Sequence, residues 1–210
     1  MYRYGQMRSD LREDWRRYVR LFRPAPPGGR PETLRVLLAS PGFAVVAAYR
    51  FRYWVRSWGD ECRNPLARFV LKCLLKCLNR TAMVFYVYVA KTYITHWPSI
   101  GPGLYLSNKG GIVLGPRAIG AGCTIHHNVT LGMDRKRNHP EVGNNVWIGP
   151  DCVIYGGLRA GDGAVLRPGT VLGKSVPDRC VVEGNPGRIV RRDFDNARCL
   201  ASPDIDVGAQ

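Results

Sequence analysis

From Val142 the chain can be written in sixes: VGNNVW, IGPDCV, IYGGLR, AGDGAV, LRPGTV, LGKSVP. First positions are Val142, Ile148, Ile154, Ala160, Leu166 and Leu172, all apolar. Fifth positions are Val146, Cys152, Leu158, Ala164, Thr170 and Val176, small or apolar. A strand and a turn recurring at such short intervals cannot bury an apolar face alone, whereas stacked windings of the chain can. The period therefore predicts a β-solenoid in which each hexad is one side of a coil.

Earlier segments obey the same rule with two faults. The hexads IGPGLY, LSNKGG and IVLGPR start at residues 100, 106 and 112; one residue is inserted at Ala118; IGAGCT and IHHNVT start at 119 and 125. From Leu131 the next hexad start is displaced to Val142, so the surplus within GMDRKRNHPE must loop out of the coil.

Before Ile100 the texture is different. Residues 6–95 read as helical with two interruptions. DLREDWRRYVRLF places Leu11, Trp15, Tyr18, Val19 and Phe22 on one face and ends at PAPPGGRP. A second segment starts near Glu32, breaks at SPG and resumes to a stop at Gly59, and a third starts near Pro65. The expected division is a helical region over 1–99, the solenoid over 100–192 and a tail over 193–210.

Charge separates the same regions. The chain carries +15, and residues 1–99 hold 18 Lys and Arg against 6 Asp and Glu. Such basicity suits nucleic acid, an anionic membrane surface or a phosphorylated ligand, as well as a plain solvated surface. No nucleic-acid motif accompanies it, so no nucleic-acid partner is expected. Lys72, Lys76 and Arg80 recur at helical spacing beside an apolar face, which would suit peripheral contact with a membrane. The apolar run AMVFYVYVA at 82–90 is far short of the ~20 residues a bilayer span needs. The N-terminus has no signal-peptide core. Seven cysteines without CxxC spacing or a ligand cluster fit a reduced, cytoplasmic chain that holds no metal.

The segments DLREDWRRY, LLASPGFAVVAAYR, GPGLYLSNKGGIVLG, NVTLG, NHPEVGNNVWIG and GNPGRIV together resemble the hexapeptide-repeat acyltransferases, most nearly the serine O-acetyltransferases and related sugar or polysaccharide O-acetyltransferases. The resemblance implies a helical N-terminal region followed by a left-handed parallel β-helix with three hexads per coil. It implies transfer of an acetyl group from acetyl-CoA to a hydroxyl, on serine or on a sugar or polysaccharide precursor. It also implies a homo-oligomer, a trimer or a multiple of trimers, with active sites between subunits.

Acyl transfer to an alcohol needs a base for the hydroxyl proton, and histidine titrates near working pH. The family places that histidine in an Asp-His-Ala-Thr-Gly-Ile-Val segment, which here reads Ser107, Asn108, Lys109, Gly110, Gly111, Ile112, Val113. Asn108 cannot take the proton. The aspartate expected one coil earlier is missing too, because residues 92–99 contain no carboxylate. With three hexads to a coil, the hexads from Leu106 and Ile125 stack, which sets His127 about 4.8 Å from Asn108 along the same edge. His127 and Asn108 are therefore the expected catalytic pair, with His127 as base or support.

His126 is expected to be structural, and His96 beside Trp97 to pack at the domain junction. His139 matches the histidine of the family's Arg-His-Pro, which contacts the acceptor, and Arg137 is expected beside it as a second substrate-binding residue; Lys174 matches a commonly basic family position and, with Arg188, is expected to bind coenzyme A. The alternative outcome is a non-catalytic homologue that has lost its base.

Overall fold

A computed structural model of the chain describes residues 4–21, 40–59, 66, 69, 70, 73, 74, 77, 80, 84, 88–95 and 98–201. The hexads wind into three parallel sheets, one per side of the coil. Face A is built from β1 (Thr92–Ile94), β4 (Ile112–Leu114), β7 (Thr130–Gly132), β10 (Val153–Tyr155) and β13 (Val171–Leu172), in that spatial order. Face B stacks β2 (Ser99–Ile100), β5 (Ala118–Ile119), β8 (Glu141–Val142) and β11 (Arg159–Ala160), extended by an isolated bridge from Ala160 to Val176. Face C stacks β3 (Tyr105–Leu106), β6 (Thr124–Ile125), β9 (Trp147–Ile148), β12 (Val165–Leu166) and β14 (Val181–Glu183). An antiparallel strand, β15 (Arg188–Arg191), closes it. The whole is a left-handed parallel β-helix of about five turns.

The hexad rule sets the core. First-position residues Ile148, Ile154, Ala160 and Leu166 are fully buried, and so are the fifth-position residues Val146, Cys152, Ala164 and Thr170. The cysteines at these places are packing residues, since burial pushes the Cys123 thiol up to about 11 and the Cys152 thiol to about 12.

Corners impose their own demands. Between faces B and C the backbone turns left-handed, with φ of +69° at Gly122 and +53° at Asn145. A Cβ on Gly122 would stand 2.2 Å from Asn145 Oδ1, so at this left-handed φ a side chain there would be strained and would displace Asn145. Beside it a column of side chains satisfies amides that the corner leaves unpaired: Ala121 N donates to Asn144 Oδ1, Asn144 N to Asp162 Oδ1, and Asp162 N to Asp178 Oδ1.

The parallel ladder starts at β1, ahead of the boundary expected at residue 100, because Thr92, Tyr93 and Ile94 pair with Ile112, Val113 and Leu114. No hexad glycine precedes β1, so the period does not reveal it. Of the segment expected as a tail, the described residues up to Ala201 pack back on the coil: Phe194, Cys199 and Leu200, the last two in α3 (Ala197–Ala201), lie on Trp147, Val165 and Val181 over face C.

The first coils of face C are covered from the other end. Two helices, α1 (Tyr4–Leu21) and α2 (Pro41–Gly59), bring Tyr18 and Phe43 onto Tyr105. The segment from Glu32 to the break, Phe22, most of the third helical segment, His96 and Trp97 lie outside the described residues. The buried side of α1 includes Asp10 and Asp14, which an apolar-periodicity reading passes over. Their presence follows from Arg50 of α2, whose Nε donates to Asp14 Oδ2 at 2.9 Å and whose other nitrogens donate to Ile100 O and Gly101 O. Asp14 also accepts from Leu104 N at 3.0 Å, and burial raises its carboxyl above the ordinary range while Arg50 opposes the rise. Tyr18 Oη accepts from Leu106 N at 2.8 Å and donates to Leu106 O, and Arg17 donates to Gly103 O and Thr124 Oγ1.

Face A differs from the other two. Its outward residues form one register column, Tyr93, Val113, Thr130, Val153 and Val171, largely apolar and without own-chain cover at Val113, which is 42% exposed. The corresponding column on face B is Ser99, Ala118, Glu141 and Arg159. No described helix is long and apolar enough to cross a membrane.

Asp14→Ala should strip the buried Arg50 guanidinium of its partner and lower stability by about 3–5 kcal/mol, read as a fall in the urea midpoint with circular dichroism. A loss under about 1 kcal/mol would show that the helix-to-coil contact is peripheral to the fold.

Candidate active site

The six residues expected at the site fall into two groups on two corners of the coil. The corner that leads from face C to face A holds Asn108, His127 and Arg188. Register pairs Leu106 with Ile125, so Asn108 and His127 occupy equivalent places in adjacent coils, two residues past the paired strands. Asn108 is half-buried, and its Oδ1 accepts from Gly42 N, in the first turn of α2, at 3.3 Å. Gly42 itself sits where a Cβ would stand 2.3 Å from Leu106 O, which presses the helix start onto this corner. His127 is half-exposed; its carbonyl accepts from Asp151 N, and among the described residues no hydrogen bond, ion pair or ring contact engages its imidazole. Arg188 opens β15 opposite Glu183, at the last coil's version of the corner, and is exposed.

His126, next to His127, points the other way. Its ring is buried with its centroid 4.8 Å from that of Trp147, on the outer side of face C. Adjacent residues of a strand end alternate sides, which separates the two imidazoles.

The second group lies on the corner from face A to face B. The surplus between β7 and β8 loops out here as expected. Asp134 organises it: Oδ1 accepts from Lys136 N at 2.8 Å and Asn138 N at 2.9 Å, and Oδ2 accepts from Asn138 Nδ2 at 2.9 Å. The Asn138 side chain, followed by its backbone amide, holds the Asp134 carboxyl below its ordinary value. Arg137 adopts a left-handed conformation at φ +64°, and its amide donates to Asp134 O. The loop rejoins the ladder where Arg117 N donates to Pro140 O at 2.8 Å. His139, one residue earlier, places Nδ1 2.6 Å from Gly115 O. Lys174 is exposed two coils further on, next to Ser175.

Between these parts lies a cavity of about 740 Å³ lined by His139, Arg137, Arg117, Arg159, Glu141 and Ser175, among others. Its charge is cationic: the single lining carboxylate, Glu141, is 3.1 Å from Arg117. Arg117 and Arg159 were not singled out by sequence reasoning. Both are sixth residues of their hexads, IVLGPR and IYGGLR, so the period itself carried the signal. Among the described residues no group of three or more His, Cys, Asp or Glu is placed to hold a metal ion.

The repeat that builds these faces is also found by comparison: residues 139–174 match the family model described as bacterial transferase hexapeptide (six repeats). The chain belongs to the hexapeptide-repeat acyltransferase superfamily, and its relatives there are serine acetyltransferases. It is 38% identical to serine acetyltransferase 2 of Arabidopsis thaliana over 194 residues, 90% of this chain and 55% of that one. Its fold is similar to the serine acetyltransferase of Brucella abortus strain S19 solved in complex with coenzyme A, with a TM-score of 0.66 at 25% identity over 90% of this chain and 69% of that one. It is also similar to the Neisseria gonorrhoeae enzyme solved in complex with serine, with a TM-score of 0.65 at 26% identity over 90% and 70%. The chain spans 55–61% of the length of two curated relatives it matches.

The depressed carboxyl of Asp134 fixes the sign of a pH effect. Its hydrogen bonds to the loop are present above the ordinary carboxylate range, near pH 4, and are lost as pH falls through the lowered value. Asp134→Ala should reproduce that loss at neutral pH. Amides 134–139 should exchange at least about tenfold faster, with Tm changed by less than about 2 °C. Unchanged exchange would show that the loop is held by Pro140 and the ladder alone.

Proposed function

We propose that the chain transfers an acetyl group from acetyl-CoA to a hydroxyl-bearing acceptor, in a site completed between two copies arranged cyclically, as a trimer or a multiple of trimers. The observation that carries this reading is the split of the expected residues. Asn108, His127 and Arg188 lie on one corner, Arg137, His139 and Lys174 on the other, and face A stands between them. Its outward apolar column suits a second copy, because faces B and C are polar or already covered. Seating one chain's first corner against the next chain's second would gather all six residues into one groove.

On this reading His127 and Asn108 approach the acceptor hydroxyl from one copy, and His139 and Arg137 from the other. Lys174 and Arg188, nearer the C-terminal end of the coil, meet the phosphates of coenzyme A. Serine is the first acceptor to test, as the relatives' names indicate. One observation favours a second class, a sugar or polysaccharide precursor carrying an acid group. The cavity presents three arginines, and its one carboxylate is already engaged by Arg117, so it offers little to an ammonium group. We place the enzyme in the cytoplasm, where the buried thiols of Cys123, Cys152 and Cys180 stay reduced. The basic N-terminal region would allow contact with an anionic membrane surface there.

Coenzyme A release should be measured with acetyl-CoA against serine, homoserine, neutral sugars and acidic sugars. Release in at least one arm above the acceptor-free rate is expected. Val113→Glu should dissociate the oligomer by light scattering and cut that rate at least about a hundredfold, as the loss of half a site requires. No release with any acceptor would favour a non-catalytic homologue, and a fully active Val113→Glu monomer would refute the shared site.

A further inference from the structure

We infer that His139, rather than His127 or any residue at the Asn108 position, is the general base. The inference rests on the acyl-transfer reading and names the group that takes the proton in it.

A carbonyl oxygen can only accept a hydrogen bond. The 2.6 Å contact between His139 Nδ1 and Gly115 O therefore requires the proton on Nδ1. In the neutral ring this leaves Nε2 as the acceptor, the form a base must present. Gly115 is a firm anchor, because it is buried and its own amide donates to Leu131 O at 2.8 Å within the ladder. The ring is thus oriented by the coil, although its residue belongs to a loop. The chain on either side is held as well, by Asp134 through Asn138 and by Arg117 N through Pro140 O.

His139 lines the 740 Å³ cavity, with Arg117, Arg137 and Arg159 around it to hold an anionic part of the substrates. His127 has no comparable support among the described residues, and no partner there selects its tautomer. A base needs a fixed ring and a proton-free nitrogen, and His139 has the first and the means to the second.

The step balances as follows. The acceptor hydroxyl gives its proton to His139 Nε2 as its oxygen bonds to the thioester carbonyl carbon. The carbon–sulfur bond then breaks, and the thiolate takes the proton back from the imidazolium, which yields the acetyl ester and coenzyme A thiol. Nothing is oxidised or reduced, and the neutral ring is restored.

The test is steady-state kinetics of the full-length protein with the best acceptor found above. His139→Ala and His139→Gln should both lower kcat at least about a hundredfold. Gln can still donate to Gly115 O, so its failure to rescue separates proton transfer from loop support. The wild type should show a fall of kcat/KM toward acid pH, and both variants should lose it. His127→Ala should act mainly on acceptor KM, with kcat reduced less than about tenfold. A His139→Gln variant that keeps more than a tenth of wild-type kcat, or a hundredfold fall confined to His127→Ala, would overturn the assignment and leave the acyl-transfer reading intact. A wild type without turnover on any acceptor would overturn both.

Discussion

The interior of one coil cannot be closed by that coil. Each winding exposes apolar first- and fifth-position side chains above and below, and only the next winding, held in parallel register, removes them from water. That register then decides where every corner residue stands. Asn108 and His127 become neighbours because Leu106 and Ile125 pair, and Arg117 meets Pro140 because β5 and β8 pair. The candidate site is in this sense a by-product of core packing, its residues placed by a ladder they do not belong to.

The three faces of such a prism start equivalent and are made different by what covers them. Face C takes α1 and α2 at one end and the segment from Phe194 to Leu200 at the other. Face B is polar. Face A keeps an apolar outward column that includes Val113 and Val153. Both groups of candidate residues border it, so the proposed shared site would tie assembly to catalysis: the surface buried between copies would be the one that joins the two halves of the site. The helix contact bears on this too, since Gly42 N at the start of α2 donates to Asn108 Oδ1 and so orients that side chain at the corner.

Much of this was legible in the residues. A period of six with apolar first positions gives the solenoid outright, and the displaced hexad start before Val142 gives the loop. Corner position can be counted, so Asn108 and His127 were expected together. What could not be read was direction and support. Nothing in NHPEVG says that His139 reaches back 24 residues to Gly115, because that contact depends on how the loop folds over the corner. Asp14 and Arg50 are similar: a buried ion pair looks like two surface charges until the helices are placed. The start of the ladder at Thr92 was hidden for another reason, since a first coil has no preceding hexad to show its phase.

The central claim is that one site draws on two chains, and subunit mixing tests it most directly. His139→Ala removes one half, and His127→Trp blocks the other with a bulky ring, so each variant alone should be inactive. Dissociated, combined in equal amounts and reassembled, they should recover about a quarter of wild-type turnover, because random pairing makes one interface in four intact on both sides. A mixture as inactive as its components would contradict the account and place the complete site within a single chain.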